Sequence, residues 1–456
     1  MNNLERLLSE TPIPKLIEVE QSIPEGKISR EMIPDIVKQQ LKNRLPLMER
    51  GKSAALTCGS RQINHLDLIL KTVIELLKEC GVEPFIFPAM GSHGGATAQG
   101  QREIIEGLGI TEESMQVPIR ATMDTVVVGR TASEIEVHLD RYANEADYII
   151  PIGRIKPHTD FRGPAESGLQ KMLTIGCGKQ QGANICHSLG FPNMSQNIMD
   201  ISGVLLEKKN IPWGIAIIED AFHGTYQIEC VDGSEIKSRE PQLLDLAKSL
   251  VPGLPFRKID VLVLDEIGKD ISGAGMDSNI TGRSSMLGRW QPFAERIAVL
   301  DLTEQSHHNA CGIGGADITT QRLFEKMDFE TSYPNAVTSH DPASMRIPPV
   351  LSCDRAAIQM ALHTCMEQDD KLGYRMIWMK NTLMLNRYYI SENLLYEANE
   401  IPSIKVLGSP FEIEFDQEGN VPWLTKPKRR YQDHEAIGFV CVPKHADRSS
   451  NGIQKV

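Results

Sequence analysis

Two histidines in unusual loops are the first candidates for chemistry. His93 lies within Gly91-Ser92-His93-Gly94-Gly95-Ala96-Thr97, where glycines let the backbone approach a ligand and N–H groups at a helix start suit an anion. His158 lies within Arg154–Gly163, which packs three cations, one histidine and one aspartate into ten residues. An imidazole changes charge near neutral pH. The two loops therefore predict an anion-binding site with acid–base histidines, and an exposed turn is the alternative for His93.

Lys171 and His187 are the next candidates. Lys171 is the single lysine on a mostly apolar predicted helix, and His187 follows it by sixteen residues. A buried lysine can become a nucleophile because burial lowers its pKa. The alternative is a lysine whose stem lies on the helix while its amine reaches water. His187 can ligate a metal, although one histidine alone does not define a metal site.

A third candidate loop lies in the second half of the chain. Residues 268–277 follow a predicted strand and contain three glycines and two aspartates, Asp270 and Asp277. Flexible backbone with acidic side chains is typical of a loop that closes on a ligand. We expect Asp277 to contact the substrate from this side, and Lys156 to contact it from the Arg154–Gly163 loop.

These loops follow strands of a predicted α/β fold. Strands are predicted at Ala54–Thr57, Pro84–Phe87 and Tyr148–Ile152, with a helix between the first two. Strand–loop–helix alternation is typical of a parallel sheet, and ligands bind outside the carboxyl ends of its strands. The turn that holds Ser60 and Arg61 follows the first strand. It should therefore meet the two histidine loops at one edge of the sheet.

The length of 456 residues predicts two domains. A Pro- and Gly-containing stretch, Ser249–Arg257, indicates the boundary, and a second α/β alternation begins after it. We expect an N-terminal α/β domain at 1–255 and a C-terminal α/β domain at 256–456. Both should have mainly parallel sheets, with the active site in the cleft between them. For the terminal segment, a return to the first domain is left open as an alternative.

Composition narrows the function classes. The net charge of -12 argues against nucleic acid and anionic membranes as main partners. The nine cysteines are scattered, odd in number and without a C-x-x-C pair, which argues against a disulfide framework and a structural zinc site. No secretory signal and no apolar run of membrane-spanning length is found. These features predict a cytoplasmic enzyme.

Taken in order, the candidate residues resemble the lactate racemase family, whose members depend on a nickel-pincer nucleotide. The resemblance extends over roughly residues 50–420 and is strongest in the first half. It is carried by a strand-following turn that ends in Ser60-Arg61, by Gly91-Ser92-His93, by His158 with Phe161 and Gly163, by Ser167-Gly168-Leu169-Gln170-Lys171, and by His187.

The resemblance implies a role for each residue. His93 and His158 would be the paired acid and base, Lys171 would hold the cofactor, and His187 would ligate nickel. The cofactor would be the pyridinium-3,5-bisthiocarboxylic acid mononucleotide of nickel, supplied by cofactor-synthesis proteins. Arg61 would orient the substrate or a cofactor phosphate. Further contacts to the cofactor are assigned to Ser60, Gly91 and Gly168.

The implied activity is racemisation or epimerisation of a small anionic 2-hydroxy acid by proton-coupled hydride transfer. Lactate racemases carry a lysine where this sequence has Asp277, Ser278 and Asn279, so a polyhydroxylated sugar acid is an equally suitable substrate. Two alternatives stay open. One is a zinc-dependent hydrolase or sugar isomerase that uses His93 and His187, and the other is a non-catalytic protein that binds anionic metabolites. Assembly into a homo-oligomer is left open as well.

Overall fold

The computed structural model describes residues 3–251, 253–290, 292–366 and 373–425. Within them, the chain folds as a mixed α/β structure, as predicted. Residues 26–251 form one part, here called the N-terminal unit. Residues 3–23 and 253–425 pack around a second sheet and are called the C-terminal unit. The predicted N-terminal domain, 1–255, includes residues 3–23. In the structure these residues instead join the sheet of the C-terminal unit.

The N-terminal unit is built on short, mainly parallel sheets. Ser53–Cys58 lies between Glu83–Pro88 and Tyr148–Ile150, parallel to both. Pro151 then interrupts the predicted strand Tyr148–Ile152 because proline has no N–H to donate to a sheet. Thr57 bridges the break, since its hydroxyl bonds the N–H and the carbonyl of Ile152 at 2.8 and 3.1 Å. The strands of this unit are Ser53–Cys58, Glu83–Pro88, Thr125–Arg130, Glu136–Asp140, Tyr148–Ile150, Ile152–Arg154, Trp213–Glu219 and Thr225–Asp232.

Helices cover these sheets and bury apolar faces against them. The helix Leu66–Glu79 has leucine and isoleucine residues at helical spacing. They are buried in the same hydrophobic cluster as residues of the strand Ser53–Cys58. The α-helices of the N-terminal unit are Ile33–Leu41, Leu66–Glu79, Ala98–Gly107, Glu112–Met115, Arg141–Glu145, Leu169–Lys171, Lys179–Ser188, Met194–Lys208 and Ile236–Ser249, with a π-helix at Met172–Gly176.

The C-terminal unit is organised around one sheet of eight strands. Five neighbouring strands, with Ile259–Leu264 among them, run parallel, and three further strands at one side pair antiparallel. Ile259–Leu264 is buried along its whole length, as is typical of a parallel strand covered on both faces. In spatial order the strands are Val350–Leu351, Ile318–Thr320, Ala294–Val299, Ile259–Leu264, Met376–Met379, Arg387–Ser391, Leu16–Gln21 and Ile404–Phe411.

Short helices and a small ribbon complete the C-terminal unit. The α-helices are Asn3–Ser9, Ser278–Thr281, Gln321–Lys326, Phe329–Thr338, Asp354–His363, Leu395–Glu400 and Pro422–Thr425, and the ribbon pairs Arg283–Ser284 with Gly288–Arg289. No helix of the described residues is long and apolar enough to cross a membrane. The prediction for the terminal segment lies, beyond residue 425, outside the described residues.

A buried carboxylate fixes the last described helix to the sheet. Asp265 follows Ile259–Leu264, and its two oxygens accept from the indole N–H groups of Trp378 at 2.5 Å and Trp423 at 3.2 Å. Burial raises the pKa of Asp265 to about 7. The Pro422–Thr425 helix is thereby attached to the C-terminal unit.

Candidate active site

Two of the candidate loops meet at the carboxyl edge of the first sheet, whereas the His158 loop follows Ile152–Arg154, a strand of the neighbouring sheet. The turn after Ser53–Cys58 contacts the His93 loop directly, because the Ser60 hydroxyl is hydrogen-bonded to Nδ1 of His93. The loop itself is anchored from below by Gln101, whose amide donates to the carbonyls of Gly91 at 2.8 Å and His93 at 3.2 Å. The structure therefore brings Ser60 and Gly91 together around His93.

The surroundings of His93 favour its neutral imidazole. Desolvation lowers its pKa, and the positive charges of Arg61, Lys171 and Lys269 lower it further. His93 and Arg61 remain accessible to solvent, which screens these charges. A neutral ring is ready to accept a proton.

His158 is held in one tautomer. Its Nδ1 accepts the backbone N–H of Asp160 at 3.0 Å, so the proton of the neutral ring is on Nε2. Its own backbone N–H donates to the buried Glu166 at 2.7 Å, and its ring stacks on Phe161 at 4.2 Å. Desolvation, followed by the charges of Lys171 and other cations, lowers its pKa well below the usual value.

One aromatic wall connects His158, Lys171 and His187. The amine of Lys171 lies 5.5 Å from the centre of the Phe161 ring. Phe161 in turn lies 6.5 Å from Phe191, which stacks on His187 at 5.8 Å. The three residues that the sequence assigned to acid–base chemistry, cofactor attachment and nickel therefore share one continuous surface.

The backbone around Lys171 departs from the predicted α-helix at Glu166–Leu173. A three-residue α-helix ends at Lys171 and continues as the π-helix Met172–Gly176, a form that often marks functional sites. This segment packs closely on the His93 loop, because a Cβ at Gly91, where φ is +60°, would lie 3.2 Å from Ile175. Gly91 thus sets how closely the two loops approach.

Gly168 has a packing role. A Cβ at this position would lie 2.6 Å from the Glu240 carboxylate, which accepts the N–H of Gln170 at 3.0 Å. Glu240 is buried, and its pKa is raised to about 7 by desolvation. The structure thereby explains the glycine without a cofactor, and a cofactor contact at Gly168 stays a prediction.

Burial shifts the pKa of the Lys171 amine and the pKa of the His187 imidazole in the direction that favours the neutral form. Burial lowers the pKa of Lys171 to about 8, with Arg61 acting in the same direction and Asp160 against it. Burial also lowers the pKa of His187 to about 4, helped by the charges of Lys171 and His340. Neutral imidazole is the form that binds metals.

The C-terminal unit contributes residues that the sequence analysis did not assign. The loop at 268–277 lies against Arg61, since a Cβ at Gly273 would be 3.1 Å from its guanidinium. Lys269 donates to the Gly273 carbonyl and acts on the pKa of His93. His340 and Asp341 act on His187 and Asp160. The glycine-rich loop was the available signal for Lys269, whereas nothing in the sequence separates His340 from an ordinary turn residue.

Lys156 and Asp277 lie close to each other. The Lys156 amine is 3.7 Å from one oxygen of the buried Asp277, whose other oxygen accepts from the backbone and side chain of Asn279 at 2.9 and 2.8 Å. Lys156 and Asp277 line a narrow crevice with Glu219 and His223. Their assignment to the substrate stays a prediction.

Residues 48–198 match the family described as the lactate racemase N-terminal domain. The lactate racemase apoprotein from Thermoanaerobacterium thermosaccharolyticum is a similar solved structure, with 14% identity, a TM-score of 0.43, and coverage of 80% of this chain and 88% of that chain. No curated protein matches. The resemblance that the sequence predicts is confirmed over the matched residues, so residues 48–198 of this chain are similar to the lactate racemase N-terminal domain.

Proposed function

We propose that this chain is a racemase or epimerase of a small 2-hydroxy acid. The observation that carries the proposal is the central position of Lys171, whose charge acts on His93, His158 and His187 alike. Two neutral histidines and one candidate metal ligand therefore surround a single amine. Such an arrangement supports proton transfer on two sides of one bound molecule.

The histidines would act on the substrate hydroxyl. The C–H bond at a carbinol carbon is barely acidic, so the hydrogen is better moved as hydride while one histidine takes the hydroxyl proton. The second histidine would serve the opposite enantiomer. Ser60 would orient His93, and the Asp160 N–H, by occupying Nδ1 of His158, would hold the Nε2–H as a donor to the substrate oxygen, so that this ring takes the substrate proton only in its other tautomer. Arg61 and Lys269 would neutralise the substrate carboxylate, because both are cations acting on His93.

The site residues fit a nickel-pincer nucleotide. This group, when bound, would supply the hydride acceptor. His187 offers a neutral nitrogen to nickel, and Lys171 offers an amine with a lowered pKa for a covalent link. Phe161 and Phe191 present ring faces between them. Among residues 3–425 with the gaps given above, no three His, Cys, Asp or Glu side chains are grouped to hold a metal, so a zinc hydrolase with a protein-only site has no support here.

A sugar acid is the substrate class that we favour within the proposal. Burial raises the pKa of Asp160, and the carboxylate of Asp341 in the other unit raises it further. Ser284 and Ser285 donate to Asp160 and Asp341, respectively. These groups supply acceptors and donors for additional substrate hydroxyls, which lactate lacks. In the cell we expect a cytoplasmic protein that depends on cofactor-synthesis proteins, with a homo-oligomer as an option.

The experiment follows the α-hydrogen of candidate hydroxy acids by NMR with cofactor-loaded enzyme. His93→Ala and His158→Ala should each lose about 100-fold to 10,000-fold in turnover, in both directions, because each isomer needs both groups. Both variants should retain nickel, whereas His187→Ala should lose it. His308→Ala, which removes an exposed histidine bonded to the Lys326 carbonyl, is the matched control. Near wild-type interconversion by either variant would remove that histidine from the mechanism, and anion binding without interconversion by the wild type would favour the binding-protein alternative.

A further inference from the structure

One arginine in the His158 loop bonds to both units of the protein. The guanidinium of Arg162 donates to the carbonyls of His158 and Phe161, the latter at 3.1 Å. It also donates to the side-chain oxygen of Asn279 at 2.8 Å and lies over the Trp290 ring at 4.7 Å. Arg162 therefore touches the backbone of the stacked His158–Phe161 pair on one side and the C-terminal unit on the other.

The receiving side is held in a fixed orientation. The amide nitrogen of Asn279 donates to Asp277 at 2.8 Å, which leaves its oxygen facing Arg162. Asp277 is fixed in turn, because its backbone N–H donates to the hydroxyl of Thr382 at 2.9 Å. A planar guanidinium bonds best to acceptors that are already in place.

Two further bonds connect the same pieces of chain. The hydroxyl of Ser278 donates to the carbonyl of Thr159 at 2.5 Å, and that of Ser284 donates to the carboxylate of Asp160 at 3.3 Å. Asp160 is also the residue whose backbone N–H holds Nδ1 of His158. Displacement of the 277–290 segment would therefore act on the group that sets the tautomer of His158.

We propose that Arg162 is a positioning residue, which makes the tautomer and the orientation of His158 depend on the docking of residues 277–290. When residues 277–290 are docked, the two terminal nitrogens of the Arg162 guanidinium hold the Thr159–Arg162 backbone in place. The Asp160 N–H then stays bonded to Nδ1 of His158. In the undocked state the loop loses three bonds to the C-terminal unit, and His158 is free to exchange tautomers. The consequence for turnover rests on the proposed function, but the coupling itself is a property of the protein without cofactor or substrate.

The decisive variant lies on the far side of the contact. Asn279→Ala removes an acceptor in the C-terminal unit and changes nothing in the His158 loop itself. We expect the rate of amide hydrogen exchange at residues 157–163 to rise by on the order of tenfold. Loss of a hydrogen bond to a charged group increases the population of the locally open state by about this factor. The ¹⁵N spectrum of His158, assigned with His158→Gln, should change from the Nε2–H tautomer to a mixture. Trp290→Leu is the second variant if Asn279→Ala fails to fold.

Arg162 itself is tested with two substitutions and a matched control. Arg162→Gln should give the same loss of protection in both 157–163 and 277–290, and Arg162→Lys should restore part of it. Arg296→Gln removes another half-buried arginine that bonds two carbonyls, those of Glu295 and Thr364, within the C-terminal unit, and should leave His158 unchanged. A purely local role for Arg162 predicts that neither Asn279→Ala nor Trp290→Leu affects residues 157–163, and that outcome would overturn the proposal. Loss of turnover with an unchanged tautomer would overturn it as well, whereas an inactive wild type with the expected coupling would count against the proposed function only.

Discussion

At the scale of single residues, burial lowers the pKa values of three neighbouring groups. Lys171, His158 and His187 lie on one aromatic wall, where desolvation disfavours their protonated forms. The charge of Lys171 lowers the pKa of both histidines further. This environment favours a neutral imidazole at His187, the form that binds a metal, and an amine at Lys171 that loses its proton near pH 8.

Lys171 should therefore react with electrophiles at lower pH than ordinary lysines. We expect half-maximal acetylation of Lys171 by acetic anhydride near pH 8, where its pKa lies, against about 10.4 for an unperturbed lysine. Lys52 is the internal control, because its pairing with Asp147 at 3.1 Å raises its pKa. Peptide mass spectrometry across a pH series measures both. Equal pH dependence at the two positions would contradict the neutral-amine interpretation.

At the scale of elements, a buried lysine joins the pieces beneath the His93 loop. Lys179 starts the helix Lys179–Ser188 with a φ of +55° and is fully buried. Its amine bonds the Pro88 carbonyl at the end of a strand, the Gln101 side chain at 3.0 Å and the Asp140 carboxylate at 3.0 Å. Because Gln101 also donates to the carbonyls of Gly91 and His93, Lys179 fixes the position of the His93 loop relative to the sheet.

Removal of Lys179 should be costly. Lys179→Met leaves Asp140 as an uncompensated buried charge, and we expect the free energy of unfolding to fall by about 3–5 kcal/mol in urea titrations. Adding Asp140→Asn removes that charge, keeps an oxygen for the Ala143 N–H, and should recover much of the loss. If the free energy of unfolding decreases by less than about 1 kcal/mol, which is the effect of an ordinary substitution, the Lys179–Asp140 pair contributes little to stability.

Elements whose own residues determine them were predicted well. The strands predicted at Ala54–Thr57 and Pro84–Phe87 are present at Ser53–Cys58 and Glu83–Pro88, because apolar strands between turns leave few alternatives. Leu16–Gln21 was missed: its Pro-flanked, half-polar sequence becomes a strand only through partners near the C-terminus. The site shows the same division. His93, His158, Lys171 and His187 stand in distinctive local sequences, whereas Lys269 and His340 join them only through tertiary packing.

At the scale of the whole molecule, the pH dependence of stability should carry a signature of Asp265. Its folded pKa of about 7 exceeds the unfolded value of about 3.9. Between these values the folded state keeps a proton that the unfolded state has lost. The contribution of Asp265 to stability is therefore complete below about pH 4 and is lost as the pH rises through 7.

Asp265→Asn should flatten this decline, because an amide does not titrate and still offers an oxygen to one indole. The measurement is the urea midpoint from pH 4 to 8, followed by tryptophan fluorescence, since Trp378 and Trp423 report the site directly. Parallel curves for variant and wild type would assign the pH dependence to other groups.

The crossing of residues 16–21 into the far sheet has a consequence for biosynthesis. This strand leaves the ribosome more than 360 residues before both of its neighbours, Arg387–Ser391 and Ile404–Phe411. Domains generally fold as they are made, so residues 26–251 can fold first while the strand waits with its backbone N–H and carbonyl groups unpaired, a known risk for aggregation. The strand can pair only after residues 387–411 have been made, and termination before residue 387 leaves a chain in which residues 16–21 have no neighbouring strand.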